Sequence, residues 1–477
     1  VATKKDLVEA HAFSRRRLVA AFVSGAPGGR EVEPARPART VAAGLAVAVL
    51  VLAGSAVYGA LASPSTADLD TPGLVTERGT GSSFLLLPTD DPDDGDALEL
   101  RSLANVTSAL LVLGDGVRAS EATTEELAAL RRGAPVGIPD APEAPPPADD
   151  LVQGGWVACT ADGAGTRVSA GSPDDGAAVD AAVAGLVRST TGDLFLLAPS
   201  AEGGVHALPV PSGPTDPSPD PVLDAVAATP ADAAVVVPDA FVELLPAGAP
   251  LARSTFGLDD ASLGSPWPVR TEVADLAVRA RAQVGDLLEV DDRTYLTTPD
   301  GVRPLDAFER AVWRAVGRVG TDAPAVYDDV ASLGDVDFTA GEPTSWPAAP
   351  VPSSAPATAG LCAVLDTSGP APAVLLATTD AGSPVAADGL VPDAVARSVA
   401  PGRGALARPE ADAPPVLVDD RGTASELGDA DVQRRLGYAG TEPVVVPPAW
   451  LGLFAPGPDL TVAAARCPDT PDDCPGA

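Results

Sequence analysis

Residues 235–251 (VVVPDAFVELLPAGAPL) and 444–460 (VVVPPAWLGLFAPGPDL) align without a gap and share eight of 17 positions. A chain that repeats itself at this length folds as related supersecondary units, each burying its apolar face against a neighbour. Each copy reads as a short buried strand, a proline stop, then one or two helical turns ending at glycine. A second element recurs with it: an apolar strand, a turn rich in Asp or Gly, and a second short strand. It occupies residues 194–208, 294–305 (TYLTTPDGVRPL) and 416–427 (VLVDDRGTASEL), and a fainter copy begins at residues 84–87. In that copy the turn is enlarged by the acidic stretch 90–96. Four β-hairpin-plus-helix units follow, at about residues 75–150, 185–255, 285–345 and 405–465, around a β-rich core that includes the regions of residues 159 and 362. With 51 Pro, 47 Gly and 4% aromatic residues, the elements are short and the cores are built mostly from Ala, Val and Leu.

Upstream of the repeats, residues 41–61 (VAAGLAVAVLVLAGSAVYGAL) form a 21-residue run with no charge. A helix of that length is about 31 Å long and matches a hydrocarbon core of about 30 Å, so the run predicts a single transmembrane helix. A cleaved signal peptide competes through Ala60-Leu61-Ala62, but the 40 preceding residues are too many for a signal n-region. Formal net charge is −35 for the whole chain, and residues 1–40 carry +4 while the remainder carries −39. Positive charge stays inside, which predicts a cytoplasmic arm at 1–40, a linker at 62–74, and an extracytoplasmic domain at 75–465 with a tail at 466–477. So acidic a domain repels nucleic acid.

Residues 3–24 of the arm read as a helix, with Thr3 as N-cap and Gly25 as stop. Phe13, Leu18 and Phe22 belong to a loose apolar stripe interrupted by Arg15, Arg16 and Arg17, a pattern that suits the inner leaflet or a cytoplasmic partner.

All four cysteines (Cys159, Cys362, Cys467 and Cys474) lie in the outer region, where an even number favours disulfides over metal. Three connectivities are possible; proximity in sequence favours Cys467 with Cys474, leaving Cys159 with Cys362.

Signals for chemistry are few. Lys4 and Lys5 are the only lysines, which excludes a P-loop. There is no G-x-S-x-G elbow. A Ser-His-Asp triad would have to use His206, which reads as an ordinary strand residue in GGVHALP. The stretch 90–96 fails as an EF-hand, with Pro92 and Arg101 at ligand positions. No catalytic, cofactor or metal site is expected, and no cofactor.

The stretch ATKKDLVEAHAFSRRRLVAAFVSGAPGGREVEP at residues 2–34 resembles the N-terminal signature of the EccB family, the membrane-anchored core component of type VII (ESX) secretion systems. Residues 105–114 resemble its N-x-x-S-A-x-L-x-L-G segment and residues 131–142 (RRGAPVGIPDAP) its R-G-x-x-V-G-I-P-x-A-P motif. Trp156 with Cys159 resembles its W-x-x-C, and Leu436–Tyr438 with residues 457–465 resemble its final repeat. The resemblance implies an α+β fold: an N-terminal cytoplasmic helix, a single transmembrane helix, and an elongated extracytoplasmic domain of four β-hairpin/helix repeats around a central β-rich core. It implies a core disulfide, falling on Cys159 and Cys362. It implies a structural and assembly role at the inner membrane rather than an enzymatic one. Its partners would be the EccC ATPase, multi-spanning EccD, EccE, the mycosin protease, and further copies of itself. The acidic stretch 90–96 and the tail cysteines depart from the family pattern. The competing reading is a membrane-anchored protein that binds or processes cell wall, to which a patterned cytoplasmic arm would contribute nothing.

Overall fold

A computed structural model describes residues 3–24, 69–89, 97–114, 119–171, 180–181, 184–212, 218–268, 281–318, most of 322–351, 360–468 and 474. The chain divides into two compact units, 1–66 and 67–477.

The first unit contributes one described element, α1 (Lys4–Ser24). Thr3 starts it: its backbone N–H and hydroxyl both donate to Asp6 Oδ2, at 2.9 and 2.7 Å. Those two bonds hold the Asp6 carboxyl below the usual carboxylate range. No helix among the described residues is long and apolar enough to cross a membrane. This corrects the expected fold class at its transmembrane helix. The one long helix that is described, α1, carries Lys4, Lys5, Asp6, Glu9 and Arg15–Arg17, charges that bar it from a hydrocarbon core. Residues 41–61 lie outside the described residues. The fold shown is α+β, built from repeated β-sheet units.

The first sheet comprises β1 (Gly73–Glu77), β2 (Ser83–Pro88), β3 (Leu98–Ser102) and β4 (Ala119–Ala122), ordered β3-β2-β1-β4. After β5 (Trp156–Thr160), β6 (Thr166–Ala170) and β7 (Asp180–Ala181), the second sheet takes β8 (Gly185–Ser189), β9 (Leu194–Pro199), β10 (Val205–Val210) and β11 (Val235–Val237). The third takes β12 (Leu287–Val290), β13 (Arg293–Thr298), β14 (Gly301–Leu305) and β15 (Val326–Tyr327). Next come β16 (Gly360–Asp366), β17 (Ala373–Thr379) and β18 (Val395–Val399). The fourth repeat then takes β19 (Ala405–Arg408), β20 (Val416–Val418), β21 (Thr423–Glu426), β22 (Val444–Val445) and β23 (Ala455–Pro456). All four repeats obey one rule. Three strands run as an antiparallel meander, and the fourth returns parallel to the first on the opposite edge.

A helix carries the chain from the third strand to the fourth: α2 (Val106–Leu113) in the first repeat, α4 (Asp220–Ala227) in the second, α6 (Ala307–Val316) in the third and α7 (Ala430–Arg435) in the fourth. Between α2 and α4 lies α3 (Thr124–Ala128). Short polar side chains start three of the four carriers. Asn105, Asp306 and Asp429 accept from backbone N–H groups of Ser108, Glu309 and Asp431, satisfying donors that a helix start leaves open.

Beyond its fourth strand each repeat turns back and lays a fifth segment parallel to its third strand. The registering pairs are Leu100 with Arg132, Ala207 with Ala247, Val302 with Phe338, and Ala424 with Pro456. The next residue then donates its N–H to the third strand: Gly133 to Leu100 O (3.1 Å), Gly248 to Ala207 O (2.8 Å), Thr339 to Val302 O (2.9 Å) and Gly457 to Ala424 O (2.7 Å). The aligned glycines of the sequence repeat therefore do not stop helices. The helices that follow the prolines, α5 (Asp239–Val242) and α8 (Pro448–Leu451), end earlier. Glycine is required by close approach: a Cβ at Gly248 would stand 2.3 Å from Leu208 Cδ2, and one at Gly457 2.2 Å from Ser425 Oγ.

The six-stranded central sheet is ordered β18-β6-β5-β16-β17-β7. In its middle Cys159 on β5 faces Cys362 on β16 in direct register, and the two form a disulfide with Cα atoms 4.0 Å apart. Cys467 and Cys474 form the second disulfide.

Candidate functional site

The repeats meet over shared apolar cores that hold several of the buried aromatic groups. In the first and fourth repeats, α2 packs against α7 and against α9 (Val462–Arg466) over a shared apolar core. Arg435 reaches across to donate to the Leu111 and Val112 carbonyls at the end of α2 (3.1 and 3.4 Å), where the helix dipole favours a cation. The Tyr438 hydroxyl donates to Pro146 O at 2.9 Å, and burial pushes it well above the ordinary phenol range. In the second and third repeats, α4 packs against α6 over a core containing Trp267, Trp313, Trp346, Phe256 and Phe308.

The second and fourth repeats meet through the very segments that the sequence duplicates. Phe241 and Trp450, at the same repeat position, are both fully buried in the core beneath the central sheet. Trp450 Nε1 donates to Leu244 O at 3.1 Å. In the first repeat that position is Glu126, which caps α3, and in the third it is Ser332.

A buried ion pair sits in the third repeat. Arg303 donates to Glu309; their side chains are 5% and 1% exposed, and the guanidinium lies 5.2 Å from the Phe256 ring centroid. Burial pushes the Glu309 carboxyl up, against the lowering effect of the Asp306 N–H and the Arg303 charge. An acid whose folded pKa is raised binds more protons folded than unfolded, so its contribution is fullest at low pH and is lost as pH rises through the folded value. Replacing Arg303 by Met strands the carboxylate and is expected to cost about 3 kcal/mol. The loss should be larger at the higher of two pH values, because a carboxyl raised by burial is more fully protonated at the lower one. Urea unfolding at the two pH values measures this, and equal losses would count against it.

Chemically reactive groups are scattered. His206 is half-buried on β10, its Nδ1 has no partner among the described residues, and burial lowers its pKa against the charge of Glu202. No group of three His, Cys, Asp or Glu side chains among the described residues could hold a metal. A cleft of about 580 Å³ between the second and third repeats is lined by Val210, Val222, Leu251, Leu258, Ala315 and Val316. Beside it Arg253 is bound to Asp260 (2.6 Å) and to the Arg318 carbonyl (3.1 Å).

The arm residues separate on α1. At about 100° per residue, Leu7, Leu18 and Phe22 share a sector of about 60°, with Arg15 and Val8 at its edge. Phe13 and Arg16 fall on the opposite side, and Arg17 lies between. Leu18 and Phe22 are 71% and 95% exposed, and Phe13 is 55% exposed.

A family model described as type VII secretion system ESX-1, transport TM domain B, matches residues 1–470. The chain belongs to that family. Among curated relatives, a protein of Mycobacterium tuberculosis named ESX-1 secretion system ATPase EccB1 is 38% identical over 108 residues, covering 23% of this chain and 20% of the relative. Its Mycolicibacterium smegmatis counterpart is 32% identical over 121 residues, 25% of this chain and 23% of the relative. The matched stretch thus spans about a fifth of the length of these relatives. The fold is shared with solved structures. A chain of an intact ESX-5 inner membrane complex aligns over 98% of this chain and 95% of its own, with TM-score 0.60 and 19% identity. The EccB3 dimer from the ESX-3 core complex aligns over 83% and 99%, with TM-score 0.58 and 21% identity.

Within this family frame, two features escaped the sequence reading and a third was marked in it without being read as a contact. In three of the repeats the fifth segment was legible only as the glycine one place after its registering residue, a signal that looks the same as a helix stop; in the third that place is Thr339. The Arg303–Glu309 pair left no local mark beyond a charge at an apolar strand position. The Phe241–Trp450 junction was marked, because both aromatics occupy one repeat position.

Proposed function

We propose that the chain is a structural and assembly subunit of a type VII secretion membrane complex at the inner membrane, with its repeat region on the extracytoplasmic side. The family match along residues 1–470 carries this reading. The repeat region adds support: shared apolar cores join its repeats, and its two disulfides suit an oxidising compartment. Its partners are the other core components, EccC, EccD and EccE, with the mycosin protease as an extracytoplasmic neighbour and further copies of the chain itself. On this reading the word ATPase in the relatives' name does not extend to this chain. Its only lysines are Lys4 and Lys5, at the start of an exposed helix with no glycine-rich loop around them. Deleting the chain should stop type VII export from its cell, and the purified chain should release no phosphate from ATP. Undiminished export, or phosphate release that disappears on changing one carboxylate, would overturn the reading.

In this proposal α1 serves as the contact to the cytoplasmic components, through Leu18, Phe22 and the Arg15–Arg17 triplet. Replacing the three arginines by Glu is expected to remove the chain from the complex while leaving the melting temperature of the repeat region unchanged. Native-gel migration of the complex reports the first effect and thermal melting the second; an intact complex containing the variant would contradict the assignment.

A further inference from the structure

The connection from β17 to β18 crosses the disulfide. In the central sheet those strands are separated by β16, β5 and β6, so residues 380–394 must pass over the strands that Cys159–Cys362 joins. Val385, in mid-connection, is 2% exposed and packs in one apolar cluster with Val157, Cys159, Cys362 and Ala377. It is the one member of that cluster, among the described residues, that does not come from the sheet. Ala386 and Ala387 beside it are also buried, whereas Val391 is 68% exposed.

The crossing segment is tied down at two places. Arg167, directly opposite Cys159 in the β5–β6 register, donates from Nε to Ala386 O at 2.8 Å. At the far end Thr166 N–H donates to Ala394 O at 2.8 Å. The approach there depends on Gly165, where a Cβ would stand 2.2 Å from Ala394 O and 2.7 Å from Val391 O. The opposite face of the sheet is closed by the core that contains Trp156, Phe241 and Trp450.

We propose that residues 380–394 are a strap that governs reductant access to Cys159–Cys362, making this bond reducible only when the strap lifts. Reduction needs a thiolate to reach one sulfur of the bond. A dithiol such as dithiothreitol attacks, forms a mixed disulfide and releases one cysteine thiolate. Its second thiolate then closes the reagent into a cyclic disulfide and frees the other cysteine. Two electrons and two protons pass from the dithiol to the two cysteines. With both sulfurs fully buried, the first attack requires the strap to open. Cys467 and Cys474 are only partly buried, and their bond, the clip in the tail, is the internal reference.

The test treats the folded full-length chain with dithiothreitol, quenches with a maleimide at intervals, and counts alkylated cysteines in each pair by mass spectrometry. In the unchanged chain the buried bond should be reduced at least about 100-fold more slowly than the clip. Val385→Gly should speed reduction of the buried bond about tenfold or more without changing the rate at the clip. Arg167→Gln frees the strap from outside the apolar cluster and should do the same with little change in melting temperature, so the result does not depend on Val385→Gly folding. Equal rates for the two bonds in the unchanged chain, or a buried bond whose rate is unmoved by Arg167→Gln, would overturn the proposal.

Discussion

Replacing Trp450 by Ala should lower the stability of the repeat region by about 4 kcal/mol. Trp450 is fully buried, packs in the core shared by the second repeat, the fourth repeat and the central sheet, and its Nε1 spans to Leu244 O at 3.1 Å. Removing the indole opens a cavity where two copies of the duplicated segment meet and leaves a buried carbonyl without its donor. Neither side can close the gap readily, because α5 and α8 are each held by a preceding strand and proline. Trp450→Phe, which restores the residue type of the aligned Phe241 but not the hydrogen bond, should recover more than half of the loss. Denaturant unfolding of the three proteins measures this. If Trp450→Ala loses under about 1 kcal/mol, the duplicated segments are not what joins the repeats.

The second large effect belongs to the disulfides. Cys159 and Cys362 are 203 residues apart, and Cys467 and Cys474 seven apart. If a bridge stabilises by restricting the unfolded chain, the long loop contributes about 5 kcal/mol and the short one about 2.5 kcal/mol. Cys159→Ser also places a hydroxyl in an apolar cluster of the central sheet, which adds to its cost. The melting temperature should therefore fall much further for Cys159→Ser than for Cys474→Ser. Equal shifts would mean that the covalent bond contributes little beyond the strand pairing already present between β5 and β16.

The repeated hairpins were legible because their signal is local. TYLTTPDGVRPL reads directly as β13, a turn at Pro299 and Asp300, and β14, since two strand-forming runs and a turn-forming pair all lie within twelve residues. Across the acidic stretch 90–96 the pairing of β2 with β3 still forms, fixed by apolar residues on either side. What pairs with what at longer range was not legible. Nothing in residues 105–114 announces that α2 packs on α7 more than 300 positions later, because an apolar helix face names no partner. The arm shows the same limit. Apolar content placed Phe13 with Leu18 and Phe22, but helical geometry turns it to the opposite side of α1. The uncharged run at 41–61 was the strongest membrane signal in the sequence, yet no described helix is long and apolar enough to span.

The central claim is membership of a secretion core, and the most direct measurement is affinity purification of the tagged full-length chain in mild detergent, with mass spectrometry of what accompanies it. The account predicts a large assembly containing a multi-domain ATPase and a multi-spanning subunit. Recovery of the chain alone, or with cell-wall fragments only, would contradict it and favour an anchored wall-binding protein.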